Sequence, residues 1–209
     1  MGKRLLLIGG GGHCKSVLDS VLSLHVYDEI GIVDYTNTPV SGVPVVGQDE
    51  DLPNLHKAGW TDAFITVGSI GDTVLRRRLY KMVSDIGFAI PAIADPSAIV
   101  AQDVVLAAGC YVGKGAILNA GSNIGKAAII NTGALIEHEC VIGEFAHISP
   151  GAILCGQVTV GDNSHVGAGA VVRQQIKIGK DVLVGIGSVV VNDIPGHVKA
   201  YGNPCRVVE

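Results

Sequence analysis

From residue 98 onward the chain divides without a gap into sixes: AIVAQD, VVLAAG, CYVGKG, AILNAG, SNIGKA, AIINTG, ALIEHE, CVIGEF, AHISPG, AILCGQ, VTVGDN, SHVGAG, AVVRQQ, IKIGKD, VLVGIG and SVVVND. These sixteen sixes reach residue 193, and the third position of every one is Val, Leu or Ile. The first position is mostly Ala, Ser, Cys or Val, and the fourth is often Gly or Asn. Self-similarity at a short fixed period marks a solenoid. Each six reads as one short flat strand and a turn, and three sixes close a triangular coil. The third-position aliphatic points inward and stacks on its counterparts, with small first-position residues leaving room for it. Gly and Asn at the fourth position are expected to turn the corners, where they tolerate positive φ. Sixteen sixes make about five coils of a parallel β-helix, each buried only by its neighbours.

Upstream the period changes. Residues 3–8 (KRLLLI) read as a buried strand, followed by Gly9-Gly10-Gly11-Gly12-His13. Val17, Val21, Leu22 and Leu24 then give helical spacing over 15–24. EIGIVDY predicts a second strand running to Asp34, and AFITVG a third ending at Gly68. Leu75, Leu79, Met82 and Val83 predict a helix over 74–86, with Arg76, Arg77 and Arg78 expected on its solvated face. A last short strand in FAIPAIA leads through Asp95-Pro96 into the coils. Strand–helix alternation implies a small parallel α/β sheet. The fold class expected is an α/β, Rossmann-like N-terminal domain (1–96) joined to a left-handed parallel β-helix with a short tail (97–209).

Composition fits a coil core. Hydrophobic residues are 48% and aromatics only 4%, so aliphatic and small side chains must fill the interior. The formal net charge of −4 gives no reason to expect nucleic acid or an anionic membrane as partner. The apolar run Leu5-Leu6-Leu7-Ile8 is too short for a membrane span or a signal-peptide core. Five cysteines, an odd number with no CxxC pair, argue against a disulfide framework and for a reduced, cytoplasmic setting.

Strand, glycines, helix start is an arrangement whose backbone amides and dipole can hold a phosphate, and by itself it fits a nucleotide sugar, NAD or a purely structural turn. The full dinucleotide fingerprint is absent, because Cys14 stands where Gly9-x-Gly11 needs its last glycine. Asp34 ends the second strand, where an acid bonds a ribose hydroxyl. Three of the seven histidines lie in the coils: His138, flanked by Glu137 and Glu139, and His147 and His165, 18 residues apart and so on adjacent coils. Amine acylation by a thioester needs a base to take a proton, and histidine titrates near neutrality. A neighbouring carboxylate holds its tautomer. By spacing alone a coil histidine is more often a corner hydrogen-bonding residue than a catalyst. Likewise Arg173, Lys177 and Lys180 fit either phosphate attraction or solvated corners.

The sixes resemble those of the left-handed β-helix acyltransferases. The order GGGGH, INTGALIEHECVIGEFAHISPGA and GNPCR resembles, over nearly the whole chain, the NeuD/PglD type of sugar O- and N-acetyltransferases. That resemblance implies an acetyl-CoA-dependent transferase acting on the 4-amino group of a UDP- or GDP-linked amino-dideoxy sugar. His138 would be the general base and Glu139 the residue that enhances its basicity. His147 would contact acetyl-CoA near the thioester, with Ala168, Ile186 and Arg206 along the CoA channel. Gly11, Gly12, His13, Asp34, Tyr35 and Gly68 would hold the nucleotide sugar. A homotrimer is implied, and no metal. Two departures stand out: Cys205 replaces the usual alanine before Arg206, and Tyr35 stands where some members carry a second acid. Cys140 is expected to be a core filler and not an acetyl carrier. Alternatives from other readings are a sialic acid O-acetyltransferase, a zinc-dependent hydratase on the same coil, and a non-catalytic scaffold.

Overall fold

The computed structural model describes residues 2–208. Strand β1 (Arg4–Ile8) is central in a parallel four-stranded sheet of order β3-β2-β1-β4, with β2 Glu29–Val33, β3 Val45–Gly47 and β4 Asp62–Ile65. Leu5, Leu6, Leu7 and Ile8 are buried on both sheet faces, as expected of a strand covered on both sides. Helix α1 (Gly12–Leu24) begins inside the glycine run, three residues before the sequence pattern suggests, with Gly11 as its N-cap. The pattern could not show this, because glycine carries no apolar side chain to count. Helices α2 (Leu52–Lys57) and α3 (Val74–Ile86) complete the unit; α2 and β3 are too short to leave a periodic signal.

Each six contributes one two-residue strand at its second and third positions, from Ile99–Val100 to Val189–Val190. Third-position residues point inward: Val112, Leu118, Ile124, Ile130, Ile136 and their successors are buried in one continuous stack. The strands form three parallel sheets, one per side of the triangular prism. The first side, here the docked face, starts at β5 (Ile93–Ala94), which lies within the segment assigned from sequence to the N-terminal domain. It ends in a hairpin, Lys199–Gly202 with Cys205–Val207. The second side presents Ile99, Ile117, Leu135, Ile153, Val171 and Val189 at the outward position, and is here called the aliphatic face. The third side is mixed, with Val105, Asn123, Val141, Thr159 and Lys177 outward.

The corner chemistry corrects the sequence reading. Positive φ falls on the sixth position of every six but the first and the last, including Glu139, Phe145, Gln157 and Gln175, and not on the fourth. Fourth-position glycines answer a different need. A Cβ at Gly143 would lie 2.5 Å from the Asp162 backbone nitrogen, and one at Gly161 2.6 Å from the Gly179 carbonyl carbon. They let successive coils stack in contact.

The two units share a core. Val17, Leu18 and Val21 of α1 pack with Ile93, Tyr111 and Ile129 on the docked face. At its rim, the buried Ser20 hydroxyl donates to Asp95 (2.5 Å). Helix α3 runs up one corner of the prism: Thr73 donates to Asn163 (2.9 Å), Arg76 to the carbonyls of Phe145 (3.2 Å) and Ala127, and Tyr80 packs over Gly109. One helical turn rises about as far as one coil, so residues a turn apart meet successive corners. Arg76 is therefore buried, contrary to the solvated face expected of the basic run, whereas Arg77 and Arg78 are exposed. Positions 76, 79 and 83 share the inward face, and the Arg76 guanidinium satisfies backbone carbonyls that the corners leave over.

Candidate active site

His138 and Glu139 lie where the aliphatic face turns into the mixed face, between strands Leu135–Ile136 and Val141–Ile142. The His138 Nδ1 is 3.2 Å from Glu139 Oε2. A carboxylate only accepts, so Nδ1 carries a proton, and in the neutral ring Nε2 keeps its lone pair. The ring lies over Gly156, whose missing Cβ would be 2.5 Å from Nε2. The Glu139 carboxyl is held below the usual carboxylate range by the Gln157 amide and then by His138. Cys140, the next residue, faces inward: its thiol is buried, donates to the Cys155 carbonyl (3.3 Å) and is pushed up to about 11 by burial. A thiol in that state is no nucleophile.

A second constellation occupies the docked face. His147 and His165 are register partners on adjacent strands, their rings edge to face at 4.7 Å. His147 Nδ1 donates to the Ser69 carbonyl (3.0 Å), so the neutral ring offers Nε2 as acceptor to the Asn131 amide (3.1 Å). Burial lowers the His147 pKa to about 3, the Ser69 bond opposing and His165, Arg76 and His13 adding to the effect. His13, on the first turn of α1, is lowered to about 4 by burial and by Arg76. Its Nε2 is buried without a hydrogen-bond partner.

Two cavities meet at His147. One of about 550 Å³ runs up the coils, lined by His147, His165, Ala168, Leu183, Ile186 and Tyr201. The other, about 710 Å³, opens toward the glycine loop and is lined by Gly12, His13, Gly68, Ser69, Asn131 and Thr132. Ile70 borders both. The structure therefore gathers Gly12, His13 and Gly68 at one end and Ala168 and Ile186 at the other, with His147 between. Gly11 caps α1 at the loop. Arg206 stands opposite Tyr201 in the terminal hairpin.

Asp34 serves the loop from beneath. One carboxylate oxygen accepts the Gly10 amide (2.6 Å), the other the amide and hydroxyl of Thr36 (2.7 Å each). Burial works against its charge, yet these bonds leave it below the usual carboxylate range. Tyr35 is not brought to the cleft. It borders a separate groove with Asp49, Glu50 and Arg78, its hydroxyl donating to Asp49 (3.3 Å). Asn131, Ser69, Gly156 and Gln157 were not picked out from the sequence. For Gly156 and Gln157 the signal was present, since each lies 18 residues, one coil, beyond His138 or Glu139.

Residues 4–83 match the PglD N-terminal domain, and residues 139–174 match the bacterial transferase hexapeptide, six repeats. Perosamine N-acetyltransferase from Caulobacter crescentus, solved with CoA and GDP-perosamine as a variant with one histidine replaced by asparagine, is 40% identical. Its TM-score is 0.93, with 99% of this chain and 97% of that chain covered. The acetyltransferase domain of PglB from Neisseria gonorrhoeae FA1090, in complex with acetyl coenzyme A, is 35% identical at TM-score 0.94, over 100% of both chains. This chain belongs to the NeuD/PglD-type family of hexapeptide-repeat sugar acetyltransferases. WeeI from Acinetobacter baumannii AYE, 24% identical, shares the fold at TM-score 0.86, over 99% of this chain and 100% of that one. A comparison with curated proteins finds no match. Among the described residues, no helix of this family member is long and apolar enough to cross a membrane.

Proposed function

We propose that this chain transfers the acetyl group of acetyl-CoA to the 4-amino group of an amino-dideoxy sugar carried on UDP or GDP. The observation that carries this reading is the His138–Glu139 pair, its Nε2 left free, on a chain 40% identical to a perosamine N-acetyltransferase solved with CoA and GDP-perosamine. His138 Nε2 takes a proton from the amine as its nitrogen attacks the thioester carbonyl carbon. The new C–N bond forms, the C–S bond breaks, and CoA leaves as the thiol with the proton passed on from His138. Glu139 stabilises the imidazolium in between. Because the thiol of Cys140 is buried, attack is direct and no acetyl-cysteine forms.

The apolar cavity past Ala168 and Ile186 is assigned to the pantetheine arm, and Arg206, opposite Tyr201 in the terminal hairpin, to the CoA phosphates. His147, both of whose ring nitrogens are engaged by Ser69 and Asn131, walls the cavity near the thioester. Gly11, Gly12, His13 and Gly68 hold the nucleotide end, with Asp34 bracing their loop. Tyr35 is left outside this site.

The working unit is proposed to be a homotrimer. Within one chain the His138 corner and the cleft at Asn131 and His147 lie at opposite edges of the aliphatic face. Packing that face around a threefold axis brings the His138 of one copy to the cleft of the next.

The test is thiol release from acetyl-CoA with UDP- and GDP-4-amino sugars and free sialic acid as acceptors, wild type beside His138→Ala. Turnover with an amino sugar, lost by about 10²-fold or more in the variant, is expected. Turnover with sialic acid alone would replace the reading by O-acetylation. Undiminished turnover in the variant would remove His138 from the chemistry.

A further inference from the structure

Glu139, Gln157 and Gln175 hold the sixth position of the sixes at one corner of the prism, 18 residues apart. All three have left-handed backbone, with φ of 57°, 63° and 62°. Their backbones are tied coil to coil, Gln157 N–H donating to the His138 carbonyl and Gln175 N–H to that of Gly156. The side chains form a second row outside this one. Gln175 Nε2 donates to Gln157 Oε1 (2.9 Å), and Gln157 Nε2 donates to Glu139 Oε2 (2.9 Å). That same carboxylate oxygen faces His138 Nδ1.

The row has a direction. An amide presents a donor end and an acceptor end, and only the donor end bonds a carboxylate. Gln175 occupies the Gln157 oxygen and so commits the Gln157 NH2 to Glu139. From the opposite side no side chain competes, because the coil below has Gly121 at this position. Both Glu139 and His138 are exposed, and Glu139 has three side-chain torsions to lose when fixed. A second bond to the same carboxylate is what keeps it beside the ring.

We propose that Gln157, held by Gln175, is a positioning residue for acetyl transfer: it fixes the Glu139 carboxylate against Nδ1 and so keeps the His138 Nε2 lone pair available. The inference rests on the reading of His138 as the base. Neither glutamine touches the reacting atoms. The neighbouring Glu137 carboxylate accepts the His138 backbone N–H (3.3 Å) and not the ring.

Gln157→Met keeps the shape and removes the bond. Turnover and both KM values would be measured for Gln157→Met, Gln175→Met, Glu139→Ala and Gln157→Met/Glu139→Ala, with His138→Ala alongside. Ring nitrogen shifts of His138 would be read by NMR in the same proteins. Gln157→Met should lower kcat about fivefold with KM unchanged, the size of one lost hydrogen bond. Gln175→Met should act in the same direction and more weakly. The double variant should be no slower than Glu139→Ala, because the glutamine acts only through the carboxylate. The ring nitrogens should shift from the Nδ1-protonated form toward a mixture of tautomers. An unchanged kcat, a loss that multiplies with Glu139→Ala, or an unchanged tautomer would overturn the proposal. Active His138→Ala would sink the base reading separately, while the tautomer in Gln157→Met still decides the row. Should Gln157→Met fail to fold, Gln175→Met, which leaves Gln157 in place, carries the same test.

Discussion

A single missing carbon sets the position of the His138 ring. Gly156 is buried one coil beyond His138, and a methyl there would stand 2.5 Å from Nε2 and 2.6 Å from Cε1. The colliding atoms belong to an exposed side chain, so the ring would move and the backbone would not. Gly156→Ala should therefore cost about 1 kcal/mol or less, since the clash is relieved by a side chain free to swing into solvent. Catalysis should suffer far more, since a displacement of about 1 Å costs on the order of 10²-fold. Melting temperature and kcat measured on the same preparation separate the two effects; a normal kcat would show that the ring works without this seat. His138 was singled out by the resemblance of its motif, its flanking acids adding little by themselves. Its platform was visible only as a spacing, because sequence says which residues stack but not which way a ring lies.

At the level of elements, the docking of α1 and α3 onto the coils makes the docked face a buried, neutral-histidine layer. The hexapeptide strands were legible because every third-position residue obeys one rule. This layer was not, because it depends on where a second unit packs: the segment carrying Ser69, and Arg76 of α3, reach His147 only through that packing. The layer has a pH signature. His13 and His147 have folded-state values of about 4 and about 3, against 6.5 when unfolded. The unfolded chain thus binds more protons below pH 6.5, and stability falls with falling pH. The contribution is complete above about 6.5 and is lost progressively down to the folded values. Each histidine adds a slope of up to about 1.4 kcal/mol per pH unit within that window. Thermal unfolding between pH 5 and 8 should show the loss on the acid side, with a shallower slope in His147→Gln. Equal slopes in the two proteins would mean that His147 takes up a proton without unfolding.

For the whole molecule, one side of the prism is without cover. The docked face is covered by the α/β unit and the third side mixes Val105 and Val141 with Asn, Thr and Lys, whereas the second shows six Ile, Leu and Val side chains in an unbroken outward row. Rows of this kind on a flat sheet mark an interface. Closed cyclic symmetry buries such a face without leaving a copy of it free for further growth. A threefold arrangement also answers a problem of the site: the Nε2 of His138 and the cleft at His147 border this same face from opposite edges, and neither cavity at His147 is lined by His138. On the proposed trimer, assembly and activity are one property. Sedimentation should give a mass of three 21.5 kDa chains. Ile153→Glu, which places a charge at the middle of the row, should yield single chains with the coil intact by circular dichroism and with acetyl transfer abolished. Wild-type protein at 21.5 kDa, or a monomeric Ile153→Glu that still turns over, would mean that each chain completes its own site.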